Sequence, residues 1–170
     1  DEHAYVEFAT SAWRDRPLDD VLAVRERFMQ QVMRPALKPS ALELVREHQT
    51  AGDLTAIVTA TNEFVTAPLA AAFGVEHLIA LQLQRDARGR VTGAIRGVPS
   101  FREGKIRRVD DWLAALGHRR DDFARITFYS DSTNDLPLLE LVNDPVVTNG
   151  SPALEAVARE RGWRILKLFE

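Results

Sequence analysis

The sequence contains no cysteine, which excludes disulfide bonds, thiolate zinc sites and a cysteine nucleophile together. It also has no apolar run near the roughly 20 residues that a membrane-spanning helix needs. Basic residues are interspersed with acidic ones, and the net charge of -3 gives no sign of a nucleic-acid or anionic-membrane partner. With 170 residues, 45% of them hydrophobic, the chain can bury the core of one domain with a small appendage. We expect a soluble, cytoplasmic protein.

Two further absences narrow the chemistry. The four histidines are scattered along the chain, without the spacing of metal ligands and without a catalytic triad: His3, His48, His77 and His118. The one Gly-Lys pair, Gly104-Lys105, is followed by isoleucine and lacks the strand and first glycine of a phosphate-binding P-loop. The site must therefore be built from other residues.

The most informative stretch is 126–137, with the sequence ITFYSDSTNDLP. An apolar, β-branched and aromatic run ends in Asp131 and Asp135, and Pro137 follows, which predicts a strand, a short acidic loop and a helix start. Two carboxylates at the carboxyl end of a buried strand suit a hard divalent cation such as Mg²⁺. Asp135 can instead cap the following helix, whereas Asp131 must be either solvated or bound to a ligand.

The pattern elsewhere predicts an α/β fold. From residue 53 onward, helices alternate with single strands at 53–58, 126–130, 146–147 and 163–169, as in a doubly wound parallel sheet. Residues 78–98 interrupt this order as a β-hairpin whose basic tip spans 85–90. Residues 1–38 predict helices, the second of which begins at Pro17. Capping boxes at Ser40 and Ser100, each followed by glutamate three residues later, predict two more helix starts.

Two other residues join the acidic loop as site candidates. Thr59 follows the strand at 53–58 and precedes a helix that Thr61 or Asn62 can cap, so a hydroxyl and helix amides there can bind an anion. Lys105 lies near a helix start, where the helix dipole disfavours a cation unless an anion is also bound; an ordinary surface lysine is the alternative. Strand ends in a parallel sheet lie on one edge, so these residues can meet around a phosphate and a cation.

With these residues the chain resembles the haloacid dehalogenase superfamily. Thr59, the FREGK segment ending at Lys105, and the segment 130–139 are similar to its second, third and fourth motifs, in the phosphoserine-phosphatase-like subfamily IB with a helical cap. The resemblance implies a Rossmann-like α/β core over 39–170 and part of a helical cap over 1–38. It implies a Mg²⁺-dependent hydrolase that removes phosphate from a small phosphorylated metabolite through an aspartyl-phosphate intermediate.

The resemblance also implies a role for each site residue. Thr59, Lys105 and Asp135 would be catalytic, and Asp131 and Asp135 would hold the metal, with Asp135 orienting a metal-bound water or Lys105. The phosphate oxygens would be held by Thr59, the Ala60 amide, Lys105 and Asn134, and Asn134 would also shape the loop.

One departure from the family pattern is large. The first motif, Asp-x-Asp-x-Thr at the end of the first and central strand, is absent from the sequence. We therefore expect that these residues are the carboxyl-terminal part of a longer protein, beginning inside the cap. A phosphotransferase of the same fold, and a catalytically silent module that binds phosphate and metal, remain alternatives.

Overall fold

The computed structural model describes residues 2–169, in two compact units, Asp1–Pro99 and Ser100–Glu170. Asp1 and Glu170, which end the two predicted segments 1–38 and 39–170, lie outside the described residues. The boundary predicted between residues 38 and 39 stays a prediction. No helix in the described chain is both long enough and apolar enough to span a membrane.

The first unit contains five helices and four strands. The helices are α1 (Glu2–Thr10), α2 (Leu18–Phe28), α3 (Arg34–Ala36), α4 (Pro39–Thr50) and α5 (Glu63–Phe73), and a π-helical turn, Met29–Met33, joins α2 to α3. The strands are β1 (Ala56–Asn62), β2 (His77–Leu81), β3 (Leu83–Arg85) and β4 (Val91–Ile95). Its core cluster is Val6, Val21, Phe64, Leu81, Leu83 and Val91.

The β1–α5–β2 segment is a parallel βαβ unit, although the sequence pattern places residues 78–81 of β2 in the hairpin predicted at 78–98. The Asn62 side chain accepts a hydrogen bond from the Val65 amide at the start of α5, and Gly74, with φ 68°, ends the helix in the left-handed conformation. β1 begins at Ala56 and extends to Asn62, so the predicted span 53–58 was wrong. The strand is longer because the chain stays extended through Thr59 up to Asn62, the residue that caps α5.

The predicted hairpin is confirmed but is shorter than 78–98. β3 and β4 pair antiparallel, whereas residues 78–81 belong to β2 in the parallel sheet. Asp86 closes the tip by accepting hydrogen bonds from the backbone amides of Arg88 and Arg90 and from the Arg90 side chain. The Arg90 side chain therefore stabilises the turn.

The second unit contains three helices and three strands. These are α6 (Glu103–Ala115), β5 (Thr127–Ser130), α7 (Leu136–Leu141), β6 (Asp144–Thr148), α8 (Pro152–Arg161) and β7 (Arg164–Leu166). The strands form one parallel sheet in the order β5-β6-β7, with α7 and α8 as the crossover helices. Leu139, Val147, Leu154 and Ala158 form its core, each fully buried. The predicted α/β class with parallel sheets is confirmed.

Neither predicted capping serine is the N-cap residue of its helix, since Lys38 precedes α4 and Arg102 precedes α6. α4 begins one residue before Ser40, at Pro39, because proline already has the φ of a first helical position and needs no side-chain cap. α6 begins at Glu103, after Arg102 has turned the chain with φ 47°, and Ser100 is fully buried.

The last strand is also shorter than predicted, since β7 ends at Leu166. The Asn149 side chain takes over the backbone hydrogen bonds beyond it, accepting from the Leu168 amide and donating to the Phe169 carbonyl.

Candidate active site

Lys105 and Asp135 form a buried ion pair in the second unit. Lys105 is the third residue of α6, and Asp135 ends the 3-10 turn Thr133–Asp135 that follows the acidic loop. The Lys105 ammonium donates to Asp135 Oδ1 over 2.5 Å, and the two side chains are 6% and 10% exposed. Buried charges are stable only when they are paired, so each of these two groups needs the other as its counter-charge.

The alternative role of Asp135 as a helix cap is not what its side chain does. Asp135 occupies the position before α7, but its carboxylate makes no capping hydrogen bond. One oxygen accepts from Lys105 and the other accepts from the Ser130 hydroxyl over 2.7 Å. A surface location for Lys105, the alternative considered from sequence, is wrong as well, because Lys105 is 5% exposed.

Asp131 occupies a different environment from Asp135. It is exposed, directly after the carboxyl end of β5, and its backbone carbonyl accepts from the Ser151 amide over 3.2 Å. Ser151 also caps α8 by accepting from the Leu154 amide. The loop between β6 and α8 therefore fixes the Asp131 backbone and leaves its carboxylate at the surface.

Gly150 allows this loop to pack closely. A Cβ atom at Gly150 would lie 2.4 Å from Val147 Cγ1, and Val147 is fully buried. The absence of a side chain at residue 150 is therefore a requirement of the turn that brings Ser151 against Asp131.

Thr59 and Ala60 lie in the first unit, at an irregularity of β1. The ladder with β2 is regular from Ala56 to Val58 and resumes only at Asn62, so Thr59–Thr61 bulge out of register. The Thr59 hydroxyl accepts from the Thr61 amide over 3.1 Å. Bulges of this kind redirect side chains and backbone groups at the rims of sheets. That Thr59 meets Lys105 and Asp131, which belong to the second unit, stays a prediction.

Asn134 is exposed within the 3-10 turn, and its backbone amide donates to the Ser132 hydroxyl over 3.2 Å. That contact closes the acidic loop through the Asn134 backbone, and the predicted loop-shaping role of the Asn134 side chain stays a prediction. Its predicted contact with phosphate is untested.

The described residues 2–169 contain no cluster of three or more His, Cys, Asp or Glu side chains able to hold a metal ion. The exposed Asp131 carboxylate is an oxygen ligand, and Mg²⁺ commonly binds through one or two carboxylates while keeping several waters. The residues present are thus compatible with Mg²⁺ and offer no cage for a metal that demands a full set of protein ligands.

Comparison with known proteins identifies the family. The sequence model of haloacid dehalogenase-like hydrolases matches residues 1–140. The chain belongs to the haloacid dehalogenase-like hydrolase family. This confirms the resemblance inferred from the motifs.

Individual members of the family extend the match. A histidinol-phosphatase of Neisseria meningitidis is 39% identical over 166 residues, which cover 98% of this chain and 75% of that protein. A solved structure of a Bordetella pertussis protein with unknown function superposes with a TM-score of 0.94 at 51% identity, covering 96% of this chain and 73% of the other. A probable phosphoserine phosphatase from Vibrio cholerae shares the fold with a TM-score of 0.69 at 21% identity, covering 96% and 46%.

The sequence motifs of the family did not single out Ser130. Its hydroxyl contacts Asp135, and its only visible signal is a polar residue at the end of an otherwise apolar strand. Because a buried hydroxyl needs a hydrogen-bond partner, a serine at this point of the strand indicates a polar contact.

Proposed function

We propose that this protein is a Mg²⁺-dependent phosphatase that hydrolyses small phosphate monoesters through an aspartyl-phosphate. The observation that carries the proposal is the buried Lys105–Asp135 pair beside the carboxyl end of β5. That edge of a parallel sheet is where α/β proteins bind ligands, and the pair places a cation there at a fixed position.

Lys105 is the proposed phosphate ligand. Its ammonium has three donors, and Asp135 is its one hydrogen-bond partner among residues 2–169. Two donors therefore remain for the oxygens of a phosphoryl group. Because the ammonium is removed from water, its attraction for the charge that develops on those oxygens is weakly screened.

Asp131 is the proposed protein ligand of Mg²⁺, since its carboxylate is exposed while its backbone is anchored by Ser151. Bound there, the cation would neutralise phosphate charge and polarise a phosphoryl oxygen. Asp135 is already engaged through both oxygens, so its main proposed task is to hold Lys105. Direct contact of Asp135 with the metal stays a prediction.

Thr59 and the Ala60 amide are proposed to hold the remaining phosphate oxygens. The bulge at Thr59–Thr61 releases these groups from the β1–β2 ladder at the carboxyl end of β1. The helix start at Glu63 adds the favourable end of a helix dipole for an anion.

None of the residues named so far is the proposed nucleophile, because the 170 residues contain no Asp-x-Asp pair. We propose that the natural protein supplies it on a further strand. In the part of the chain that the structure describes, β1 pairs with β2 alone and β5 with β6 alone. Their apolar residues Ile57, Val58 and Phe128 are only half-buried, as expected of strands with a free edge. The first aspartate of the pair would attack phosphorus and break the bond to the alcohol oxygen, which would take a proton from the second aspartate. Water would then give its proton back to that second aspartate and cleave the acyl phosphate, which releases phosphate and the free first aspartate.

The substrates to test first follow from the relatives' names. Histidinol phosphate and phosphoserine are both phosphate esters of a primary alcohol next to an amine-bearing carbon, so we propose small amino-alcohol phosphates as the substrate class. The location in the cytoplasm stays a prediction.

The test measures phosphate release by the natural protein that carries this sequence. Histidinol phosphate, phosphoserine and an aryl phosphate are each supplied with Mg²⁺ and with a chelator. Lys105→Met should lower kcat/KM by roughly 10²–10³, the cost of losing one donor to the reacting oxygens. Asp131→Asn should raise the Mg²⁺ concentration needed for half-maximal rate. Lys38→Met, at an exposed lysine, is the matched control and should leave the rate unchanged.

Two outcomes would favour other functions. Release of the alcohol together with transfer of phosphate to an added acceptor alcohol would show a phosphotransferase. Phosphate and Mg²⁺ binding without turnover of any ester would show a silent binding module, which the missing Asp-x-Asp pair makes a specific alternative. Unchanged activity in Lys105→Met would refute the phosphate-binding role.

A further inference from the structure

The Ser130 side chain is buried, and its hydroxyl both donates and accepts a hydrogen bond. It is the last residue of β5 and is 8% exposed. Its Oγ donates to Asp135 Oδ2 over 2.7 Å and accepts from the Ser132 amide over 3.1 Å. The hydroxyl thus links the strand end, the acidic loop and the buried carboxylate in one chain of hydrogen bonds.

The geometry of Asp135 depends on this contact. The terminal torsion of an aspartate is broad, so a single hydrogen bond leaves the carboxylate free to rotate. Asp135 is held at one oxygen by Lys105, on a flexible four-carbon stem, and at the other by Ser130, on the rigid strand. Ser130 is therefore the one of the two partners that can fix the carboxylate plane, and through it the Lys105 ammonium.

We propose that Ser130 is a positioning residue for Lys105, acting through the Asp135 carboxylate. The inference rests on the proposed function, in which Lys105 holds the phosphoryl oxygens. Replacing the hydroxyl by hydrogen leaves the buried Asp135 Oδ2 and the partly buried Ser132 amide without this partner. The carboxylate then turns, and the ammonium moves away from the position that the transition state requires.

The kinetic expectation separates positioning from binding. Ser130→Ala should lower kcat by about 10- to 100-fold, because a misplacement of about 1 Å has this cost, while KM changes by less than about threefold. Ser130→Thr keeps the hydroxyl, and its β-branch is favoured in strands, so it should restore most of kcat.

A second readout does not require activity. The natural protein is labelled with ¹⁵N at its lysines, three of which lie in these 170 residues, at Lys38, Lys105 and Lys167, so that the ammonium groups are observed directly. The Lys105 signal is assigned by its loss in Lys105→Arg. Because the ammonium is buried and bonded to Asp135, its protons should exchange slowly with water near neutral pH. Ser130→Ala should broaden or remove this signal, and Ser130→Thr should keep it.

Ser132→Ala is the matched control. It removes a neighbouring hydroxyl that contacts the Asn134 amide and not Asp135, so the Lys105 signal should be unchanged. If Ser130→Ala does not fold, Ser130→Cys replaces it, because the thiol has nearly the same volume and is a weak donor. The Cys variant should show the same loss of signal and of kcat in weaker form.

The results separate the two proposals. An unchanged Lys105 signal in Ser130→Ala or Ser130→Cys overturns the positioning role, whatever the activity. The positioning role is also overturned if Ser130→Ala loses the Lys105 signal but keeps the wild-type kcat. If Ser130→Ala loses the signal and the wild-type protein hydrolyses no phosphate ester, the Ser130–Asp135–Lys105 chain is supported and the phosphatase function is refuted instead.

Discussion

Removing one charge of the buried Lys105–Asp135 pair should cost a large part of the stability of the second unit. Asp135→Asn keeps the shape of the side chain and one acceptor, but it leaves the Lys105 ammonium, 6% exposed, without a counter-charge. Breaking a buried pair in this way lowers the free energy of unfolding by about 3–5 kcal/mol. We expect about 3 kcal/mol here, because the asparagine side chain keeps one acceptor. Since a domain is stable by about 5–15 kcal/mol in total, such a loss is easily measured.

The measurement is urea unfolding followed by circular dichroism, for Asp135→Asn, Lys105→Met and the double variant. Each single variant leaves one buried charge, whereas the double variant leaves none, so its cost should fall below the sum of the two by about 2 kcal/mol or more. Glu140→Gln is the matched control, because Glu140 pairs with Arg161 at the surface, where both side chains are more than 40% exposed. That change should cost at most about 1 kcal/mol.

The reasoning would be refuted by equal losses in Asp135→Asn and Glu140→Gln. It would also fail if the double variant lost the full sum, since the two charges would then contribute independently of each other.

Three further predictions concern the surrounding structure. Gly150→Ala should destabilise by about 1–3 kcal/mol in urea unfolding, because the new Cβ would lie 2.4 Å from Val147 Cγ1; wild-type stability would show that the loop gives way freely. The hydrogen bond from Lys167 lowers the pKa of Glu155 and outweighs burial, which raises it. Its stabilisation is therefore present above the ordinary glutamate pKa, about 4.3, and lost as the pH falls through the lower folded-state pKa. Glu155→Gln should accordingly be less stable than wild type at pH 7, and the gap in urea midpoint should close below about pH 4; a constant gap would contradict the assignment. Asn62→Ala should cost about 1 kcal/mol in thermal unfolding through loss of the α5 cap, whereas Asn62→Asp should not, and equal effects of the two would exclude capping.

Prediction from sequence succeeded where local interactions decide the structure. The strand ending at Ser130 and the helix start before Pro137 both follow from neighbouring residues. It failed where a competing local choice was available. Pro39 began α4 ahead of the Ser40 capping box, and β1 continued through Thr59 because a strand can bulge without ending.

The sequence by itself determined the α/β class, the acidic loop and the family motifs, because these depend on short-range patterns of polarity and backbone preference. The tertiary structure alone decided whether the Asp135 side chain caps α7 or pairs with Lys105. The choice between a helix cap and an ion pair depends on the burial of Lys105, 30 residues away, and on the Ser130 hydroxyl that takes the second oxygen. A charge removed from water must be paired, and only the folded chain shows which charges have been removed from water.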